Sequence, residues 1–172
     1  METTQSKEEQ WEGKVTAKLP ETGAHQAWQL LSDFCNFHRL LPSLDACYRV
    51  AGEEGRPGCL RRCETVSTRN TDGGAIAWAT EELLSVDHRA LIFTYRVVES
   101  NMGFGRFVAE MKVLPETAAG GGGTTAEGCR IEWSFVADPL KGRRLARLIL
   151  FLEGSLNTIA RSIESKQKGG NL

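Results

Sequence analysis

Two charged side chains in this sequence stand where ordinary core residues are expected. Arg61 alternates with its neighbours so that it shares one strand face with Cys59 and Cys63, while Leu60, Arg62, Glu64 and Val66 take the other. If the cysteine face is the inner one, a guanidinium has been taken out of water, which is costly unless a carboxylate or a ligand meets it. In the next run Glu81 falls on the same face as Ala77, Ala79 and Leu83, among small apolar neighbours. Strands joined by a single hairpin bring such residues within reach of each other. A carboxylate and a guanidinium in a cavity make a proton relay: the carboxylate takes and returns a proton, and the guanidinium holds a developing oxyanion. The pattern alone leaves open the plainer alternative, in which both side chains face solvent or form a structural ion pair.

The remaining candidates carry less chemistry. Phe93, Tyr95, Phe107 and Trp133 lie on apolar strand faces, where aromatic residues either line a pocket or simply fill the core. Cys59 and Cys63 on one strand are ~13 Å apart at ~3.3 Å per residue, too far for one ion. The three histidines, His25, His38 and His88, stand in unrelated contexts, so no metal site is expected. Lys141, Arg143, Arg144 and Arg147 form a basic cluster without interleaved aromatics, which reads as a solvated surface and not as a nucleic-acid interface. Gly103-Phe104-Gly105 has neither the third glycine nor the strand-to-helix setting of a dinucleotide fingerprint. The Gly120–Gly123 run is not followed by the Lys-Ser/Thr of a phosphate loop.

The elements that must position Arg61 and Glu81 are legible from hydrophobic periodicity. Trp11, Gly13, Val15, Ala17 and Leu19 alternate with polar residues, the period-two pattern of a half-buried strand that Pro20 ends. Thr22 is expected to cap a helix with Ala27, Trp28, Leu30 and Leu31 on its apolar face, and Asp33 or Asn36 to open a second short one that Pro42 stops. Strands are expected at 45–51, 58–67, 74–86, 90–99, 104–114 and 128–137, with turn residues between them, and such spacing signals antiparallel neighbours. Asn70–Gly74 reads as a hairpin loop, and 116–127 as a flexible glycine-rich loop. The final segment changes to steps of three and four through Leu145, Leu148, Leu152, Leu156, Ile159 and Ile163, opening near Asp138-Pro139. With Ala146, Leu150 and Phe151 added, the first half of that helix is apolar nearly all round, so it is expected to be enclosed or to touch another surface. About seven strands, two short helices and one long C-terminal helix bury their apolar faces best if the sheet curls around the long helix, with room for a small guest between them.

Composition bounds the rest. The 172 residues suit one domain, expected over 11–166, with flexible ends at 1–10 and 167–172. A net charge of −1 gives no field to hold nucleic acid or an anionic membrane. The polar N-terminus lacks a secretory signal, and no long apolar run supports membrane insertion. Five cysteines, an odd number and widely spread, argue for reduced thiols and a cytoplasmic setting.

Several stretches taken together, Trp11-Glu12-Gly13-Lys14-Val15, Gln26–Phe34, Leu41-Pro42-Ser43-Leu44, Gly58-Cys59-Leu60-Arg61, Trp78–Leu83 and Arg130–Phe135, resemble the plant lachrymatory-factor synthase family of the START/Bet v 1-like superfamily. The resemblance spans about Trp11 to Glu164 and implies an α+β helix-grip fold. It also implies isomerisation of a small sulfenic acid to a thial S-oxide without cofactor or metal. By resemblance Arg61 and Glu81 are the catalytic pair, and Tyr95, Phe104, Phe107, Trp133, Phe93 and Leu44 are expected around the substrate. The sequence departs from the family where Phe104 and Phe107 stand in place of tyrosines, which removes hydroxyl contacts to a substrate oxygen. Two functions are therefore expected to compete: a cofactor-free isomerase or cyclase, and a non-catalytic carrier of a small hydrophobic ligand such as a lipid, hormone or secondary metabolite.

Overall fold

The computed structural model describes residues 9–66, 76–117 and 127–169. The expected loops at Asn70–Gly74 and Gly120–Gly123 lie outside those residues. Seven strands form one antiparallel sheet: β1 (Trp11–Leu19), β2 (Ala46–Ala51), β3 (Leu60–Val66), β4 (Ile76–Asp87), β5 (Ile92–Ser100), β6 (Phe107–Thr117) and β7 (Glu127–Ala137). Their order across the sheet is β1-β7-β6-β5-β4-β3-β2, so each strand after β1 lies beside its sequence neighbour and the last returns to pair with the first. Helix α1 (Ala24–Leu31) and a 3-10 helix (Phe34–Arg39) follow β1, and α2 (Leu145–Gly169) closes the chain.

Alternation explains the layering. Phe107, Ala109, Met111 and Val113 of β6 and Cys129, Ile131, Trp133, Phe135 and Ala137 of β7 are all buried, and the residues between them are half-buried. One face of the sheet is thus wet and the other faces the stripe Leu152, Leu156, Ile159 and Ile163 of α2. Helix α2 lies chiefly along β1, whereas the 3-10 helix covers β2 and β3 at the far side of the sheet. Close approach of α2 to β1 depends on Gly13, which stands directly across from Phe135. A Cβ there would come within 2.6 Å of the Phe135 ring and 3.2 Å of Ile149. This is the helix-grip arrangement that the element order implied.

The element ends differ from the sequence reading in several places. Thr22 is buried and does not cap α1. Gly23 is the N-cap, and its N–H donates to the Gln26 side chain at 3.2 Å. Asn36 lies inside the 3-10 segment and donates its amide to Asp33 at 2.9 Å, so Asp33 is the residue at the opening. Asp138 does not open α2; its backbone N–H donates to the Arg106 carbonyl at 2.8 Å and its carboxylate accepts the Arg106 N–H at 2.9 Å, tying the end of β7 to the start of β6. Leu91 is outside β5 at φ 58, a left-handed conformation that a leucine adopts here while its side chain is buried. Helix α2 runs to Gly169. Of the two alternatives expected for the first half of α2, enclosure does not hold: Leu150 and Phe151 are each 66% exposed.

Candidate active site

Pairing of β3 with β4 sets Arg61 directly opposite Glu81. Alternation turns both inward, with Cys59 and Cys63 beside the arginine and Ala79 and Leu83 beside the glutamate. The guanidinium Nε donates to Glu81 Oε1 at 2.9 Å, and Nη1 donates to the Phe34 carbonyl at 2.8 Å. Three rings enclose the charge: its central carbon lies 3.9 Å from the Phe34 ring centroid, 4.8 Å from that of Phe37 and 5.2 Å from that of Tyr95. Burial is the largest influence and opposes the charged guanidinium, but the Glu81 carboxylate together with Cys63, Cys47 and Tyr95 outweighs it and holds the arginine above its ordinary range. Arg61 is therefore a fixed cation, and it is held by the 3-10 helix as much as by the sheet.

The two members of the pair are unequally open. The Arg61 side chain is 3% exposed and that of Glu81 13%. A small molecule approaching the pair meets the carboxylate first. Glu81 also faces a thiol, with Cys63 Sγ 3.7 Å from its Oε1, and Cys63 in turn donates to Cys47 at 3.6 Å. The neutral chain ends with Cys47 donating to the Phe34 carbonyl at 3.8 Å. Once that proton is lost, Cys47 is the thiolate that the Cys63 S–H and the Arg61 charge stabilise, which lowers it to about 6 against the cost of burial.

Of the other residues singled out in the sequence, Tyr95 comes nearest to the pair. Its hydroxyl accepts the Trp133 indole N–H at 3.1 Å, and burial first, then the Glu81 charge, push it above the ordinary tyrosine value. Phe107 packs on Tyr95 at 6.5 Å between centroids, and Phe93 on Tyr95 at 6.1 Å and on Phe34 at 6.2 Å. Phe104 precedes β6, is half-buried, and meets Phe107 edge-on at 5.4 Å. Leu44 is half-buried in the turn before β2, its N–H donating to the Leu41 carbonyl. Arg61, Glu81, Tyr95 and Trp133 thus form one connected group, Phe93 and Phe107 flank it, and Phe104 and Leu44 stand further out.

Sequence reasoning missed Phe34, Phe37, Cys47 and Cys63. The spacing of Phe34 and Phe37 by three residues in a short helical stretch signalled a buried face, but not that the face closes over an arginine. Two clefts lie elsewhere. One of about 540 Å³ is lined by Met102, Gly103, Gly105 and Asp138–Lys141, and one of about 340 Å³ runs between Leu41–Ser43 and Leu150, Phe151 and Thr158 of α2. Neither is lined by Arg61 or Glu81. Among the described residues no helix is long and apolar enough to cross a membrane.

Comparison with known proteins agrees with this architecture. The protein XoxI of Bacillus cereus, whose structure has been solved, superposes with a TM-score of 0.61 over 91% of this chain and 94% of its own, at 17% identity. That degree of likeness carries the fold. Residues 11–164 match the family described as polyketide cyclase / dehydrase and lipid transport, and with nearly the whole sheet and α2 inside that match, the chain belongs to this family.

Proposed function

We propose that this protein is a cofactor-free enzyme that moves a proton within a small hydrophobic molecule, an isomerase or cyclase resembling the lachrymatory-factor synthases. Glu81 is the acid–base group and Arg61 the cation that orients it and steadies a developing oxyanion. The observation that carries the reading is the inward-facing, register-matched ion pair whose carboxylate is its more open member. Stability alone does not account for such a pair, since apolar side chains of similar volume commonly hold a core as well or better. A proton-transfer role does, because a carboxylate held against a fixed cation is pre-aimed and needs no solvent rearrangement when charge develops. The reading takes residues 11–166 as one domain in a cytoplasmic setting, with Tyr95, Trp133, Phe93, Phe104, Phe107 and Leu44 as the apolar surroundings of the guest.

The test is turnover of a small sulfenic acid generated in situ, followed as thial S-oxide formation, in the wild type and in Glu81→Gln. The amide keeps an oxygen for the Arg61 Nε but can neither take up nor release a proton in the working pH range. Turnover is expected to fall about 10²–10⁴-fold while the far-ultraviolet circular dichroism stays unchanged. An equally active Glu81→Gln variant rejects the mechanism.

A second reading rests on Phe104 and Phe107, which bring no hydroxyl to the aromatic wall, and on the Tyr95 hydroxyl, which is already engaged by Trp133. In that reading the protein carries a small hydrophobic ligand and performs no chemistry on it. Saturable displacement of an apolar fluorescent dye, equal in the wild type and Glu81→Gln, together with absent turnover in both, would favour the carrier.

A further inference from the structure

Four of the five cysteines form two thiol pairs, Cys35 with Cys59 and Cys47 with Cys63, each with 3.6 Å between the sulfurs. All five are free thiols. The two pairs differ in geometry, in charge and in access.

Cys47 and Cys63 are direct register partners across β2 and β3. Opposed residues in an antiparallel ladder have Cα atoms about 4.5–5.5 Å apart, which lies inside the span of about 4.4–6.8 Å that a disulfide bridges. Closing the bond needs side-chain rotation and no backbone shift. Cys35 sits in the 3-10 helix and Cys59 in the turn before β3, so no ladder aligns them. Charge separates the pairs further. Arg61 shares the inner face with Cys63, and its charge together with the Cys63 S–H favours a thiolate on Cys47, whereas burial pushes Cys35 up to about 12. Access differs in the same direction but less: Cys47 and Cys63 are 6% and 8% exposed, with Cys63 against Glu81, while Cys35 is 4% exposed and Cys59 fully covered.

We propose that Cys47 and Cys63 form a two-electron oxidation site, which hydrogen peroxide converts to a disulfide and a thiol reductant restores. The Cys47 thiolate attacks one peroxide oxygen, the O–O bond breaks, and Cys47 becomes a sulfenic acid. The departing hydroxide takes the proton of Cys63 and leaves as water. The Cys63 thiolate then attacks the Cys47 sulfur, the S–O bond breaks, and the second hydroxide is neutralised by the proton that Cys47 had released to solvent. Two thiols and one peroxide give one disulfide and two waters, with the two electrons passing from sulfur to oxygen. The disulfide removes the S–H that faces Glu81. The inference rests on the thiols and their register, and it stands whichever guest the Arg61–Glu81 pair meets.

The experiment treats the reduced full-length chain with equimolar hydrogen peroxide, alkylates the remaining thiols, and maps the peptides by mass spectrometry. Expected are loss of two hydrogens, alkylation at Cys35, Cys59 and Cys129, one crosslink joining Cys47 to Cys63, and full reversal by dithiothreitol. Four or five alkylated cysteines, or a crosslink through Cys35 and Cys59 instead, overturns the proposal. In Cys63→Ser the hydroxyl keeps a donor toward the Cys47 thiolate but the sulfenic acid has no thiol partner, so a dimedone adduct at Cys47 is expected, and its absence in a folded variant counts against the site. The wild-type map decides the matter if that variant does not fold.

Discussion

Phe34 meets Arg61 twice, with its ring over the guanidinium at 3.9 Å and its carbonyl accepting from Nη1 at 2.8 Å. The arginine is consequently held from two directions, by Glu81 within the sheet and by the 3-10 helix above it. Two nitrogens of one guanidinium with fixed partners make a rigid anchor, and the energetic cost of disturbing it depends on which side is removed.

Removing one member of the Arg61–Glu81 pair should cost far more than removing both. Arg61→Met leaves a mostly covered carboxylate without its cation and is expected to cost about 3–5 kcal/mol. Combining it with Glu81→Leu eliminates the stranded charge, and methionine packs well against Phe34 and Phe37. The double variant is therefore expected within about 1 kcal/mol of the wild type, or above it. Urea unfolding of the four proteins checks this. A double variant as unstable as the sum of the singles would show that the pair holds the fold by other means.

Gly13 should tolerate no side chain. A Cβ would meet Phe135 Cε1 at 2.6 Å and Cζ at 2.8 Å, and the Phe135 ring is stacked on Phe107 at 5.7 Å, which limits where it can move. Gly13→Ala is expected to cost about 1–3 kcal/mol from overpacking. In a chain of this size that is a fall in Tm of about 2–4 °C for each kcal/mol. Adding Phe135→Leu should recover part of the loss, since the smaller side chain vacates the contested space. No recovery would mean that Ile149 of α2 is the neighbour that cannot give.

The sheet was legible in the letters because each strand has one wet face. Cys129, Ile131, Trp133 and Phe135 alternate with Arg130, Glu132 and Ser134, and β7 follows that alternation. The inward turn of Arg61 was conditional on one face being buried, and the placement of Glu81 opposite it depended on register, which alternation does not specify. The aromatic cage was out of reach for a different reason: Phe34 and Phe37 come from a separate element, and only tertiary packing sets them over β3. The Cys47–Cys63 pairing was hidden likewise, because it depends on the β2–β3 register, which shifts between Arg49 and Ala51. Thr22 and Asp138 misled because a good capping residue type also serves elsewhere, and here the Gln26 side chain and the Arg106 backbone decide where the elements begin and end.

Stability should fall on the alkaline side through Tyr95. Its folded-state value lies above the ordinary 10.0, so the folded protein keeps the phenol proton after the unfolded chain has lost it. The contribution is complete below pH 10.0 and declines as pH rises from there toward the higher folded value. Urea midpoints measured at about pH 8 and about pH 11 should separate more in the wild type than in Tyr95→Phe. Equal separations would mean that other groups carry the alkaline loss.

His88 should prove to be the anchor of α1. The buried Trp28 indole donates to His88 Nδ1 at 3.0 Å, and the two rings meet edge-on at 5.7 Å, so the β4–β5 turn is fastened to the helix that leads into the 3-10 segment. In His88→Ala the indole N–H keeps its place beside Phe93 but exchanges its acceptor for water, since His88 is exposed, a loss of about 0.5–1.5 kcal/mol. Because α1 leads directly into the segment that carries Phe34 and Phe37, loosening it should also weaken the cage over Arg61. Amide exchange across Phe34–Arg39 should therefore speed up in His88→Ala more than exchange in β6 and β7. Uniform acceleration through the whole sheet would instead mean that the contact contributes to global stability alone and does not reach the site.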